Sequence, residues 1–90
     1  MKGYIYLLES LNCLRPYLGS TIDLAKREIE HNQGVTKYTQ NKGPWKIKKY
    51  WEFEDIKKAR QIEYKIKRMK IGLSEEKVSE LIVKLVRASR

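Results

Sequence analysis

Five side chains of this sequence have the types and the order to act on a charged ester. Tyr6, Tyr17, Arg27 and His31 lie in the first third of the chain, and Glu63 follows later. A tyrosine hydroxyl has a reference pKa of about 10, so it is a poor base until cations lower it. Arg27 or a metal ion could do that, and one phenolate would then take a proton from an attacking water. Arginine's fixed fork can hold two phosphate oxygens and stabilise a pentavalent transition state. Two tyrosines, an arginine and a lone carboxylate suit phosphodiester cleavage better than they suit a core.

Each residue also has a plainer reading. Glu63 falls inside the apolar helical stripe of Ile56, Ala59, Ile62, Ile66 and Met69. An unpaired carboxylate among apolar neighbours is expensive, so it needs a partner. That partner is Arg27 or a lysine in a salt bridge, or else a metal. Mg2+ suits the second case, with one carboxylate completed by substrate phosphates and waters. Arg27 sits one helical turn from both Asp23 and His31, and an ion pair with Asp23 would also account for it. His31 could position a proton or a tyrosine, or serve as a helix-end hydrogen bonder. Tyr6 and Tyr17 could equally be ordinary sheet tyrosines.

Positioning these groups falls to short elements. Residues 3–9 are predicted as a strand rich in Tyr, Ile and Leu. After a turn at Ser10–Cys13, a second strand over about residues 14–18 stops at Gly19, and Pro16 places it on an edge. Ser20 or Thr21 caps a helix running to about Asn32, with Asp23 as a capping-box acid and Ile22, Ala25 and Ile29 as its apolar side. Residues 33–44 read as a loop, and Trp45–Phe53 as the third strand. Asp55 caps a helix over residues 56–70. Ser74 starts a last helix whose Val78, Leu81, Ile82, Leu85 and Val86 form one apolar face. The expected fold is α+β in the order β-β-α-β-α-α, a small three-stranded antiparallel sheet flanked by helices. Residues 1–90 are expected to make one domain, with 74–88 as a packing helix.

The chain has 90 residues and a formal net charge of +9. Residues 41–72 hold eleven Lys/Arg against four Asp/Glu, so seven of the nine excess charges lie there. Such a local excess attracts a polyanion. Cys13 is the single cysteine, which excludes an internal disulfide and a cysteine-rich zinc site. The first residues lack a long apolar run, so no signal peptide or membrane span is expected, and the default is a cytoplasmic monomer.

The order of the residues adds to their types. Tyr4-Ile5-Tyr6, ten intervening residues, Tyr17-Leu18-Gly19, then Arg27 and His31 resembles the GIY-YIG nuclease superfamily. Residues Gly19 to Leu24, His31-Asn32, Lys37-Tyr38-Thr39, Pro44-Trp45, and Ala59 with Glu63 and Ile66-Lys67 resemble its small stand-alone bacterial type. The resemblance covers about residues 4–69. It implies that Tyr17 is a general base, that Tyr6 orients water or shares that role, and that Arg27 clamps phosphate. It also implies that Glu63 binds Mg2+, with Mn2+ an acceptable substitute, and that His31 supports the site. Gly19 would permit close approach of backbone. Departures from the pattern are Tyr4 for the glycine of the first motif, Leu18 for isoleucine in the second, and Ser20 where repair-type members carry lysine. No asparagine follows Asn41.

The expected function is therefore a Mg2+-dependent DNA endonuclease, in DNA repair, leaving a 3′-hydroxyl and a 5′-phosphate. Candidate nucleic-acid contacts are Lys42, Lys46, Lys48, Lys49, Arg60, Lys67 and Arg68, which would position phosphates without reading bases. Trp45 could stack on an unpaired base or bury the sheet edge. Branched, nicked or single-stranded DNA is expected over a long recognition sequence, and RNA stays open. Two alternatives remain: a nucleic-acid-binding protein on the same scaffold without useful turnover, and a protein-interaction domain using the last helix.

Overall fold

The computed structural model describes residues 1–70 and 72–88. The strands are β1 (Gly3–Ser10), β2 (Cys13–Thr21) and β3 (Trp45–Phe53), and the helices are α1 (Leu24–Asn32), α2 (Ile56–Arg68) and α3 (Glu75–Ala88). The order is β-β-α-β-α-α, as the sequence predicts. The sheet is antiparallel throughout, with β1 between β2 and β3. Pro16 therefore lies on an edge strand. β2 does not stop at Gly19, because Gly19, Ser20 and Thr21 pair with Tyr6, Ile5 and Tyr4.

Alternation along β1 sorts the chemistry onto two faces. Ile5 and Leu7, with Leu18 and Phe53, face α2 and α3, where Ile56, Ala59, Ile62, Ile66, Val78 and Ile82 complete the main core. Fully burying each large aliphatic side chain stabilises the fold by roughly 1.5–3 kcal/mol. Tyr6 and Leu8 point to the opposite face and pack with Trp45. β1 is covered on both faces, which explains its nearly unbroken apolar run. Met69, predicted in the α2 stripe, is instead 41% exposed at the helix end.

Helix α1 corrects two expectations. Its N-cap is Asp23, whose Oδ1 accepts from Lys26 N at 3.1 Å, rather than Ser20 or Thr21, which are still in β2. Its orientation is also inverted. Ile22, Ala25 and Ile29 are exposed, while Leu24, Arg27, Glu28 and His31 turn inward. Those four recur at positions i, i+3, i+4 and i+7, so the inward stripe has helical period but is mostly polar. It faces the Tyr6 hydroxyl and backbone groups, with Leu24 packed against the Tyr6, Leu8 and Trp45 cluster.

The same helix seals part of the β3 edge. Asn32 Oδ1 accepts from Trp45 N at 2.6 Å and its Nδ2 donates to Trp45 O at 2.9 Å. Glu28 Oε2 accepts from Ile47 N at 2.8 Å. These side chains satisfy backbone groups that a neighbouring strand would otherwise pair. The predicted loop carries a short 3-10 turn at Lys37–Thr39.

Candidate active site

Tyr6 and Tyr17 reach one side of the sheet from neighbouring strands, with ring centroids 6.3 Å apart. Tyr6 lies opposite Gly19. A Cβ on Gly19 would sit 2.5 Å from the Tyr6 hydroxyl and 3.0 Å from the Tyr17 ring. Glycine is required there by contact with tyrosine rings.

Above the sheet, α1 holds the Tyr6 hydroxyl through two side chains, and the 3-10 turn braces one of them, His31. Tyr6 Oη is 2.8 Å from His31 Nε2, and His31 Nδ1 is 2.8 Å from Thr39 Oγ1. The Thr39 hydroxyl donates to Thr36 O at 3.2 Å. A carbonyl can only accept, so the one Thr39 proton is spent there and its oxygen accepts from His31 Nδ1–H. Neutral His31 then presents a bare Nε2, which accepts the Tyr6 proton. Arg27 Nε–H donates to the Tyr6 oxygen at 3.3 Å. The chain of bonds thus runs one way, from Arg27 through Tyr6, His31 and Thr39 to a backbone carbonyl.

The protonation states agree with that direction. Burial, aided by the Arg27 charge, pushes His31 down to about 4. Burial drives Tyr6 up to about 12, against the bond from Arg27. At neutral pH its anionic fraction is then on the order of one in 10^5. Burial would lower Arg27, but its bonds to Tyr6 and Glu30 outweigh that and hold it above its ordinary value. Its other nitrogens donate to Glu30 Oε1 at 3.1 Å and Thr36 Oγ1 at 3.2 Å. The i,i+4 pair with Asp23 is absent from these bonds; Asp23 caps the helix instead.

Tyr17 is placed differently. Its ring lies 4.9 Å from His31 and 5.4 Å from Tyr38, centroid to centroid. Its hydroxyl bonds to none of the described residues. Lys67 Nζ stands 4.9 Å over the Tyr17 ring, and Lys42 Nζ 4.4 Å over Tyr38.

Glu63 comes to the same region from α2, at the rim of its apolar stripe. Its carboxylate accepts from Ser20 Oγ at 2.5 Å and pairs with Lys67 Nζ at 2.8 Å. Of the partners open to it in the sequence, a lysine is the one present, and Arg27 is bonded elsewhere. Among the described residues no three His, Cys, Asp or Glu side chains cluster as metal ligands.

The structure thus brings Tyr6, Tyr17, Arg27, His31 and Glu63 together, with Lys42 and Lys67. Of the remaining candidate cations, Arg60 and Arg68 are exposed on α2, and Lys46, Lys48 and Lys49 are on β3, across the sheet from β2. Lys48 is paired with Glu9 at 2.9 Å. Trp45 has no face for a base. It is 3% exposed and its indole N–H donates to Thr39 O at 2.8 Å, so it anchors the loop. Sequence reasoning missed Thr36, Thr39, Glu30 and Ser20 as parts of the site. Thr39 carried a signal only within the resemblance block Lys37-Tyr38-Thr39. No helix among the described residues is long and apolar enough to cross a membrane.

Comparison of the sequence with known proteins places the chain in a family. The GIY-YIG catalytic domain matches residues 2–70. UPF0213 protein BH0048 of Halalkalibacterium halodurans is 32% identical over 80 residues, covering 88% of this chain and 84% of that protein. UPF0213 protein CPE1444 of Clostridium perfringens is 39% identical over 72 residues, covering 74% and 72%. The solution NMR structure of UPF0213 protein BH0048 from Bacillus halodurans aligns with a TM-score of 0.47 at 32% identity, covering 92% of this chain and 84% of that one. By the extent of the domain match and the identity to these relatives, the chain belongs to the GIY-YIG catalytic-domain family.

Proposed function

We propose that this protein binds DNA at the tyrosine–arginine site and hydrolyses its backbone there, as a Mg2+-dependent endonuclease. The observation that carries this reading is the difference between the two tyrosines. Tyr6 is locked as a hydrogen-bond donor to His31, while the Tyr17 hydroxyl bonds to none of the described residues and Lys67 Nζ lies 4.9 Å over its ring. Tyr17, once its own proton has passed to solvent, would as phenolate take the proton of the attacking water; Tyr6, held protonated, orients that water. Arg27 keeps Nε on Tyr6 and turns its outer nitrogens from Glu30 and Thr36 onto the non-bridging phosphate oxygens.

The donors present fit a one-carboxylate metal site. Glu63 lies beside the Ser20 hydroxyl, and its second oxygen is held by a half-exposed lysine on a flexible stem. Mg2+, or Mn2+ in its place, would supply positive charge to the scissile phosphate and leaving oxygen when bound by Glu63.

A second reading rests on the same carboxylate. Both Glu63 oxygens have protein partners, which favours a nucleic-acid-binding scaffold with little or no turnover. The domain match and the UPF0213 relatives back that scaffold better than they back turnover. Labelled duplex, nicked, single-stranded, flap and branched DNAs, incubated with Mg2+ or EDTA, separate the two. Cleavage in Mg2+ that disappears in Glu63→Ala and in Tyr17→Phe establishes the enzyme. Salt-sensitive binding without cleavage establishes the scaffold.

A further inference from the structure

The hairpin of β1 and β2 presents two fully exposed leucines, Leu11 in the turn and Leu14 at the start of β2. Single exposed leucines are ordinary, but these sit on a tip that is firmly braced. Ser10 Oγ donates to Lys42 O at 2.6 Å, and Asn12 Nδ2 donates to Gly43 O at 2.7 Å. Asn12 N donates to Ser10 Oγ at 3.1 Å, and Cys13 packs inward beside the Tyr6 cluster. A tip needed only to reverse the chain would be served by polar residues. Here the polar residues fix the tip, and the apolar ones stand out from it.

The tip also leads to the site. Leu14, Arg15 and Pro16 share a shallow concavity with Tyr38. Tyr38 is 41% exposed, its ring is 5.4 Å from that of Tyr17, and Lys42 lies over it. Leu14 and Tyr38 thus line one concavity together with Arg15, Lys70 and Leu73, and the Tyr38 ring continues to Tyr17, with Lys42 and Lys67 over the two rings. Cations along such a path suit a polyanion, and apolar wedges between base steps are a known way to unstack DNA. An exposed aromatic face can then receive the displaced base.

We infer that Leu14, backed by Leu11, is a wedge that enters an interrupted base stack, and that Tyr38 stacks on the base it displaces. The ligand class is DNA with a nick or a junction, where unstacking costs least. This inference rests on the DNA reading above and adds how the substrate is selected.

The test uses the full chain in EDTA, with duplexes that are intact or nicked and carry 2-aminopurine at the nick. Wild type should prefer the nicked duplex by about tenfold or more, and the probe should brighten on binding. Leu14→Ser should erase the preference and the brightening while leaving intact-duplex affinity within about twofold, because phosphate contacts remain. Tyr38→Leu should brighten the probe further, since the ring that would stack on and quench it is gone. Both positions are exposed, and circular dichroism verifies that each variant folds. Equal affinity of wild type for both duplexes, or an unchanged preference in Leu14→Ser, overturns the inference. So does a Leu14→Ser variant that loses self-association and keeps its nick preference, which would make the tip a protein contact. Cleavage in Mg2+ without nick preference sinks the wedge alone. Nick preference without cleavage keeps the wedge and sinks the hydrolysis. Absence of DNA binding sinks both.

Discussion

Lys67 Nζ lies 2.8 Å from Glu63 Oε2 and 4.9 Å from the centre of the Tyr17 ring, so one lysine joins the carboxylate to the tyrosine. A cation arriving at Glu63 must compete with it. A partly exposed ion pair is worth roughly 0.2–1 kcal/mol. Lys67→Met should therefore lower the Mg2+ concentration at half-maximal cleavage by about two- to fivefold. It should also weaken DNA binding, because a phosphate-facing charge is lost. A higher Mg2+ requirement in this variant would show that Lys67 assists the metal site instead of opposing it.

Gly19→Ala should damage the site and the fold together. The new methyl would lie 2.5 Å from the Tyr6 hydroxyl, and the ring cannot yield without leaving His31. Overpacking of this kind costs about 1–3 kcal/mol. Urea unfolding should report that loss, and proton chemical shifts of His31 should move. A variant of unchanged stability would mean that the sheet separates here more easily than the contact implies.

His31 links stability to pH. Its folded pKa is about 4 against an ordinary 6.5, because burial and then the Arg27 charge oppose protonation. Between those values the unfolded chain holds more protons than the folded one. Stability from this group is thus complete above about pH 6.5, falls as pH drops through the window, and levels off below about 4. The loss is on the order of 2–3 kcal/mol. His31→Gln carries no such group, so the stability gap between wild type and variant should shift by that amount from pH 7 to pH 4. A constant gap would mean that His31 titrates normally.

The two tyrosines should separate in mutagenesis. Tyr6→Phe leaves the acceptor Nε2 of His31 and the donor Nε of Arg27 without their shared oxygen, at a cost of about 1–3 kcal/mol. Tyr17→Phe removes a hydroxyl bonded to no described residue, so stability should stay within about 0.5 kcal/mol. Cleavage should nevertheless fall by about 100-fold or more, the usual worth of a general base. Thermal melts and single-turnover rates on both variants measure the contrast. A destabilised Tyr17→Phe with full activity would exchange the two assignments.

Much of the fold was legible because period and chemistry agree in most elements. β1 and β3 carry strand-forming residues between clear turns, and α2 carries an apolar stripe with Asp55 at its start. α1 misled because its exposed side is the apolar one. Ile22, Ala25 and Ile29 repeat at helical spacing, yet the helix docks on the Tyr6 hydroxyl and a strand edge, where Arg27, Glu28 and His31 bond better. The five residues that the structure brings together, Tyr6, Tyr17, Arg27, His31 and Glu63, were visible by type and order. Their partners were not, since Thr36 and Thr39 reach the site through a 3-10 turn that the loop composition does not announce. Trp45 was ambiguous for the same reason: its indole partner is a carbonyl in that turn.

Asn32 and Glu28, which hold the edge of β3, stand on the helix that also carries Arg27 and His31. A helix of this length is marginal alone, and α1 has little apolar burial to keep it in place. Strand and helix therefore close as one cooperative unit. Fraying at Trp45 would unseat the arginine and the histidine in the same step, while Tyr6, Tyr17 and Glu63 stay on β1, β2 and α2, so the phosphate clamp and the buried proton acceptor are lost together.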